Sequence, residues 1–78
     1  MVEQPENNLQ VEAFLIGLPT LTKTERAIYD MYLEDCITKE IMATLGIKEN
    51  TLKFHNKNLY SELGVSSRKQ LLEIARSL

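Results

Sequence analysis

Residues 38–63 read TKEIMATLGIKENTLKFHNKNLYSEL, and this stretch decides the fold. The first eight of these residues predict a short helix from Thr38 to Leu45, because Ile41 and Leu45 lie one helical turn apart. Gly46 follows, at the position where many helices end in a left-handed residue. Two further residues separate this helix from a second, longer one, so the pattern predicts two helices joined by a tight turn.

The second helix is predicted to run from about Asn50 to Glu62 and to have two contrasting faces. One face repeats apolar residues at helical spacing, with a polar residue in the intervening turn: Leu52, Leu59 and Leu63, and His55 or Asn56 between them. The opposite face, which we name the reading stripe, carries hydrogen-bonding side chains, one aromatic ring and no acidic residue: Asn50, Lys53, Phe54, Lys57, Asn58 and Ser61. This amphipathic pattern predicts that the reading stripe faces outward.

Two further helices flank this pair, and each is predicted to begin with a capping box. Thr22 and Glu25 form the first box, and Ser67 and Gln70 form the second. Each box precedes apolar residues that share one side of a helix: Ile28, Met31 and Tyr32 in the first, and Leu71, Ile74, Ala75 and Leu78 in the second. The sequence therefore predicts an all-α fold, a compact four-helix domain with a helix-turn-helix over about residues 38–57.

The chain before the first capping box has a different character. Residues 1–8 are polar and lack periodicity, so we interpret them as a disordered lead or linker. Residues 9–18 have apolar side chains at helical spacing and predict a short helix that Pro19 must end. We therefore predict an N-terminal linker with a short helix over residues 1–20 and the helical domain over residues 21–78.

The composition restricts the classes of function. The 78 residues suffice for one domain, and neither a run of 18 apolar residues nor a basic leader is present, so we expect a cytoplasmic protein. One cysteine, Cys36, and one histidine, His55, are too few for a structural zinc site, and His55 has no nucleophile or carboxylate at a matching spacing. We therefore predict no enzymatic activity, no metal and no cofactor.

The net charge of −2 is unevenly distributed along the chain. Residues 1–35 contain two basic and seven acidic side chains, a balance of −5, whereas residues 36–78 contain seven basic and four acidic ones, a balance of +3. A basic segment that carries the reading stripe is typical of a face that binds a polyanion. Because the major groove of DNA is about 12 Å wide and admits one α-helix, double-stranded DNA is the predicted partner.

Several ordered motifs resemble the LuxR/GerE-type helix-turn-helix. They are Leu21-Thr22 with Glu25, Lys39-Glu40-Ile41, Leu45-Gly46-Ile47, Thr51-Leu52-Lys53 with His55, and Leu63-Gly64-Val65 with Arg68. The resemblance covers residues 21–78 and implies a four-helix domain of a bacterial transcriptional regulator, usually the output module at the C-terminus of a larger protein such as a response regulator and occasionally a free-standing domain. It also implies dimers that form through the last helix, and RNA polymerase as a further candidate partner.

Carried over by position, the resemblance implies roles for individual residues. Lys53, Phe54 and Lys57 match the base-facing positions, and His55 matches a position that packs and orients the reading helix. The residues expected to contact or flank the DNA backbone are Thr38, Lys39, Asn50, Thr51, Asn58, Arg68 and Lys69. The candidates for a dimer surface are Leu71, Leu72 and Leu78, and the alternative is that they close the core.

Five residues depart from the family pattern: Asp35 in place of glycine, Ile37 and Lys48 in place of capping side chains, Met42 in place of alanine, and Glu62 in place of a basic residue. The first four affect the local geometry of the helix-turn-helix, and Glu62 weakens the expected grip on phosphate. Two orientations of Phe54 are open: outward toward a thymine methyl group, or folded back onto the first core helix.

Two alternative functions are also open. A sigma-factor promoter-recognition domain shares the capped first helix and the tight turn, although His55 and the Leu63-Gly64-Val65 segment favour the LuxR/GerE type. A protein-interaction module that kept the fold and lost DNA binding would account for the overall acidity, Glu62 and the incomplete caps.

Overall fold

The computed structural model describes residues 5–78 as a bundle of five α-helices, and no strand occurs within that range. The helices are α1 (Pro5–Gly17), α2 (Lys23–Leu33), α3 (Thr38–Leu45), α4 (Glu49–Leu63) and α5 (Arg68–Ala75), and one 3-10 turn, Leu18–Thr20, links α1 to α2. The predicted all-α fold is confirmed, with α3 and α4 as the helix-turn-helix. Within residues 5–78, no helix has the length and apolar character needed to cross a membrane.

Hydrogen bonds at the helix ends explain where α2 and α5 begin. At α2, the Glu25 amide donates to Thr22 Oγ1 (3.1 Å) and the Thr22 amide donates to Glu25 Oε1 (3.0 Å), so the predicted capping box is complete. At α5, the Gln70 amide donates to the Ser67 hydroxyl (3.1 Å), but the Gln70 carboxamide accepts from the amide of Ser66 (2.8 Å). The second box is therefore displaced by one residue.

The turn between α3 and α4 has the geometry that the sequence predicts. Gly46 ends α3 with φ 66° and ψ 37°, in the left-handed region that favours glycine. The amides of Gly46 and Ile47 both donate to the Met42 carbonyl, which closes the end of the helix. The next helix begins at Glu49, one residue earlier than predicted.

One apolar core holds the helices together. Its buried members are Phe14, Ile28, Tyr29, Tyr32, Ile41, Leu52, Leu59, Leu63, Val65, Leu71 and Ile74. The assignment of Leu71 to a dimer surface is therefore wrong, because this side chain is fully buried on the side of α5 that packs against α2 and α4.

The first helix packs on the domain rather than extending from it. Phe14 of α1 is fully buried, and its ring lies 6.1 Å from that of Tyr29 on α2. The predicted disordered lead is wrong for residues 5–8, which open α1 with Pro5 at a position where a missing amide hydrogen is tolerated. Residues 1–4 lie outside the described range. The division of the chain at residue 20 stays a prediction.

Candidate nucleic-acid interface

The packing of α4 turns the reading stripe outward. Three leucines on the opposite side, Leu52, Leu59 and Leu63, are buried. Five members of the reading stripe are exposed, namely Asn50, Lys53, Phe54, Lys57 and Ser61, and the sixth, Asn58, is half-buried. The burial of one face of α4 thus presents a row of donors and one aromatic ring to solvent.

Phe54 is the most conspicuous side chain on this surface. It is 62% exposed, and its ring is tilted by 66° against the His55 ring in a T-shaped contact, with centroids 5.7 Å apart. The alternative in which Phe54 folds back onto α2 is therefore wrong. An exposed phenyl ring leaves apolar surface in water, so its position contributes little to folding and leaves the ring available to a partner.

The surface of α4 also contains an acidic residue, Glu49, that the predicted reading stripe did not include. Because the helix begins at Glu49, the carboxylate of this residue lies one turn before Lys53, and Glu49 Oε2 is 3.9 Å from Lys53 Nζ. Both side chains are about two thirds exposed or more, at 67% and 71%. The ion pair is therefore weak and screened by water, and Lys53 can exchange it for another anion at little cost.

The N-terminal ends of α3 and α4 lie at exposed positions and lack capping side chains. Ile37 precedes α3 and Lys48 precedes α4, and neither side chain offers an oxygen to the first amides of the helix. In α3, Glu40 compensates in part by accepting a hydrogen bond from the Ile37 amide at 3.0 Å. Four of the predicted backbone contacts, Thr38, Lys39, Asn50 and Thr51, are exposed at these ends.

Arg68 is directed into the domain. Its Nη2 atom donates to the Cys36 carbonyl at 2.6 Å, and its guanidinium carbon lies 4.3 Å from the centre of the Tyr32 ring. These contacts leave Arg68 only half-exposed, whereas Lys69 beside it is exposed. Of the two, Lys69 is the residue that the structure leaves available for phosphate.

A hydrogen bond between α2 and α4 was not predicted from the sequence. The hydroxyl of buried Tyr32 donates to Asn56 Oδ1 at 2.5 Å. Tyr60 lies one turn further along α4. Its pKa is raised above the ordinary value, mainly because the side chain is partly buried and next because Tyr32 is close to it. No spacing in the sequence reveals this pairing, because the partners are 24 residues apart.

The C-terminal end of α4 is held by the segment after α1. A Cβ atom placed on Gly17 would lie 1.9 Å from the Glu62 carbonyl oxygen, so the two backbones are in direct contact. The Thr20 hydroxyl has one hydrogen, which it donates mainly to the Gly17 carbonyl at 2.6 Å and shares with Glu62 Oε1 at 3.1 Å. Glu62, which the sequence suggests only as a weakened phosphate contact, therefore also joins α4 to the N-terminal segment.

The remaining departures from the family pattern are accommodated locally. Asp35 stands in for glycine with φ 61°, in the left-handed region that aspartate tolerates better than most residues. Its carboxylate accepts a hydrogen bond from Arg76 Nη2 at 2.8 Å, which ties this turn to the end of α5. Met42 is half-buried against the core.

Two dimer candidates lie at or near the surface of the last helix. Leu78 is 57% exposed beyond the end of α5, and Leu72 is half-buried. Leu72 lines a shallow depression between two basic side chains, Lys69 and Arg76, with Glu73 beside them.

Comparison with known proteins identifies similar sequences among bacterial regulatory proteins. The family described as bacterial regulatory proteins, luxR family, matches residues 19–75. The spore germination protein GerE of Bacillus subtilis is 41% identical over 59 residues, which cover 74% of this chain and 80% of that protein. A putative HTH-type transcriptional regulator of Aeromonas salmonicida is 37% identical over 59 residues, covering 76% of this chain and 30% of that protein.

A longer relative supports the same grouping. The transcriptional regulatory protein UhpA of Escherichia coli is 39% identical over 51 residues, which are 65% of this chain and 26% of that protein. The chain thus spans most of GerE but less than a third of the Aeromonas regulator and of UhpA. No solved structure matched the chain significantly.

Proposed function

Because this chain belongs to the luxR family of bacterial regulatory proteins, we propose that it is a sequence-specific DNA-binding output domain of a transcriptional regulator, with α4 in the major groove. The observation that carries this proposal is the outward face of α4, where exposed Phe54 lies between two exposed lysines, Lys53 and Lys57. A folded domain gains nothing from placing an apolar ring there, whereas a base edge with a thymine methyl group offers it a partner.

Lys53, Phe54 and Lys57 are the proposed base-facing residues. The two lysines are one turn apart and can meet guanine acceptors or neighbouring phosphates, while the phenyl ring between them can contact a thymine methyl group. Glu49 restrains Lys53 only through an exposed pair at 3.9 Å, so a DNA acceptor can displace it.

The proposed backbone contacts surround this centre. The uncapped ends of α3 and α4 present free amides, and helix N-termini favour phosphate oxygens through both the amides and the helix dipole. The residues proposed for phosphate contact are Thr38, Lys39, Asn50, Thr51, Asn58 and Lys69. Arg68 is left out of this set because its guanidinium is engaged with Cys36 and Tyr32.

The modest charge of the domain favours a dimer as the binding unit. A net charge of −2 gives a single domain weak general attraction to DNA. We propose that two copies associate through the last helix, with Leu72 and Leu78 in the contact, and read half-sites about one helical turn apart. RNA polymerase is a further proposed partner of the regulator to which such an output domain belongs.

A selection from random duplexes followed by fluorescence anisotropy tests the proposal. Roughly four to six phosphate contacts per domain predict that log affinity falls with log salt at a slope of about −4 to −5. The chain should also prefer the selected duplex over a scrambled one. Absence of salt-dependent duplex binding at about 50 mM salt would contradict the proposal, since electrostatic attraction to phosphate is strongest at low salt.

A paired substitution separates this function from a protein-interaction module. The variant with Lys53→Ala and Lys57→Ala should abolish sequence-specific binding, and the salt slope should fall by about 1 for each of the two lysines that also contacts a phosphate. The control variant, with Lys23→Ala and Arg26→Ala, removes the same charge from α2 and should bind almost normally. Equal behaviour of the two variants would favour a module that retained the fold without reading DNA. The luxR family match favours DNA reading of this type over a sigma-factor domain.

A further inference from the structure

We propose that Tyr32 is a positioning residue for DNA recognition: together with Arg68 and Asn56 it fixes the rotation of α4 about its axis, and so decides where the reading stripe meets the base edges. This inference rests on the proposed function and adds residues that are not themselves in contact with DNA. It is carried by three contacts that run from the α2–α3 loop to the middle of the reading helix.

The first contact fixes α4 to α2. The hydroxyl of buried Tyr32 donates to Asn56 Oδ1 at 2.5 Å. Because this bond joins a buried residue of α2 to the middle of α4, and because a hydrogen bond is directional, it restricts how far α4 is turned about its axis.

The second and third contacts fix Tyr32 itself. The Arg68 guanidinium lies over the Tyr32 ring at 4.3 Å, and its Nη2 atom is held by the Cys36 carbonyl at 2.6 Å. A planar cation held over a ring restricts the tilt of that ring and adds a favourable cation–π attraction. Arg68, on α5, therefore holds the Tyr32 hydroxyl in place. Through this hydroxyl, the position of α4 is fixed relative to α2 and α5.

A hydrogen bond restrains rotation better than the apolar contacts of α4 do. Burial of Leu52 and Leu59 is non-directional and changes little when the helix turns by a few degrees, whereas a hydrogen bond weakens quickly with distance and angle. With side-chain tips roughly 5–6 Å from the helix axis, a rotation of about 10° moves them by about 1 Å. That displacement exceeds the roughly 0.5 Å range of good hydrogen-bond distances. The base contacts proposed for Lys53 and Lys57 therefore depend on the rotation of α4 about its axis.

Tyr32→Phe tests this directly, because it removes the donor and keeps the ring under Arg68. The matched control is Tyr29→Phe, which removes a hydroxyl from the same helix at a residue that packs against Phe14 of α1. Both variants are compared with the parent chain for binding to the selected duplex and to a scrambled duplex. We expect Tyr32→Phe to lose roughly tenfold in the ratio of the two affinities, with unchanged affinity for the scrambled duplex, and Tyr29→Phe to keep the ratio.

The partner residue is tested by a double substitution. If Asn56 acts only through Tyr32, Asn56→Ala lowers the affinity ratio as much as Tyr32→Phe, and the double variant is no worse than either single one. Losses that add, or a loss confined to Asn56→Ala, would overturn the inference because Asn56 would then act on DNA independently.

Arg68→Ala distinguishes positioning from phosphate binding. Positioning predicts a lower affinity ratio with an unchanged salt slope, whereas a phosphate contact predicts weaker binding to every duplex and a slope reduced by about 1. The second result would overturn the positioning role of Arg68.

A measurement without DNA keeps the inference separate from the proposed function. Amide hydrogen exchange at residues 53–57 should be roughly several-fold faster in Tyr32→Phe than in Tyr29→Phe. The effect is limited to that size because these amides exchange through a local opening of the helix. If the parent chain fails to discriminate between duplexes, the proposed function fails, and this exchange result alone decides whether Tyr32 positions α4. Equal exchange in the two variants, or an unchanged affinity ratio in Tyr32→Phe when the parent chain does discriminate, overturns the inference.

Discussion

The two halves of α4 differ in what they do for the molecule. The first half, residues 49–57, exposes Lys53, Phe54 and Lys57 and buries one leucine, Leu52. The second half, residues 58–63, buries Leu59 and Leu63 completely within only six residues. We name these segments the reading half and the anchor half. One continuous helix therefore joins a segment with little role in the core to one at its centre.

This difference shows how a small domain can present a rigid surface that contributes little to its own stability. The anchor half is held by the close approach of Gly17 at the end of α1 and by the shared hydrogen bond from Thr20 in the 3-10 turn that follows. The reading half is held mainly by Leu52 and by the bond from Tyr32 to Asn56. Because a helix is stiff along its axis, anchoring one half fixes the axis direction of the other, whereas its rotation about that axis is set by the bond from Tyr32 to Asn56.

The comparison predicts the largest effects for alanine substitutions in the two halves. Leu59→Ala should lower the free energy of unfolding by about 2–5 kcal/mol, because it opens a cavity at a fully buried position. Phe54→Ala should change it by less than about 0.5 kcal/mol, since this ring is mostly in water, yet weaken binding to the selected duplex. Urea unfolding and anisotropy measure the two quantities. A large loss of stability in Phe54→Ala would erase the distinction between the halves.

A second, smaller effect on stability concerns the backbone contact between α1 and the anchor half. Gly17 has helical φ and ψ angles of −74° and −26°, so its backbone alone would accept alanine, but the added Cβ would lie 1.9 Å from the Glu62 carbonyl oxygen. Since both contacting groups are backbone, relief requires α1 to move. We expect Gly17→Ala to lower the free energy of unfolding by about 1–3 kcal/mol, measured by urea denaturation, and proteolysis of α1 to accelerate.

Gly46 provides the matched control for this steric argument. It needs its positive φ of 66°, but nothing lies within 4 Å of a Cβ placed on it. Gly46→Asn should therefore cost less than about 1 kcal/mol, because asparagine tolerates the left-handed region, whereas Gly17→Asn should be at least as damaging as Gly17→Ala. A neutral Gly17→Asn would mean that α1 is not held against α4 in solution.

Much of this architecture was predictable because it depends on residues close together in sequence. The capping box at Thr22, the left-handed residue at Gly46 and the amphipathic pattern of α4 are local signals, and the structure confirms each of them. The outward position of the two lysines follows from the same pattern, since a helix that buries Leu52 and Leu59 must turn its other face to solvent. The base-facing roles themselves stay a prediction.

The features that the sequence did not predict depend on contacts between distant residues. The bond from Tyr32 to Asn56 spans 24 positions, and the one from Arg68 to Cys36 spans 32. Leu71 has the same residue type as Leu72, its neighbour, and only the rotation of α5 decides which of the two enters the core. The predicted start of α4 was also one residue late, which separated Glu49 from the lysine that it contacts.

Glu49 gives the smallest predicted effect and the finest test of the reading half. Glu49→Gln removes an exposed pair and one favourable charge from the first turn of α4, so the free energy of unfolding should fall by less than about 1 kcal/mol. If α4 lies in the major groove as proposed, the same change removes an acidic side chain near phosphate and releases Lys53, so affinity at low salt should rise roughly two- to fivefold. Glu12→Gln, which removes the same charge from the exposed side of α1, is the control and should leave affinity nearly unchanged. If both variants gain equally, net charge explains the effect; if only Glu49→Gln gains, the reading half carries an acidic residue that moderates its own attraction to DNA.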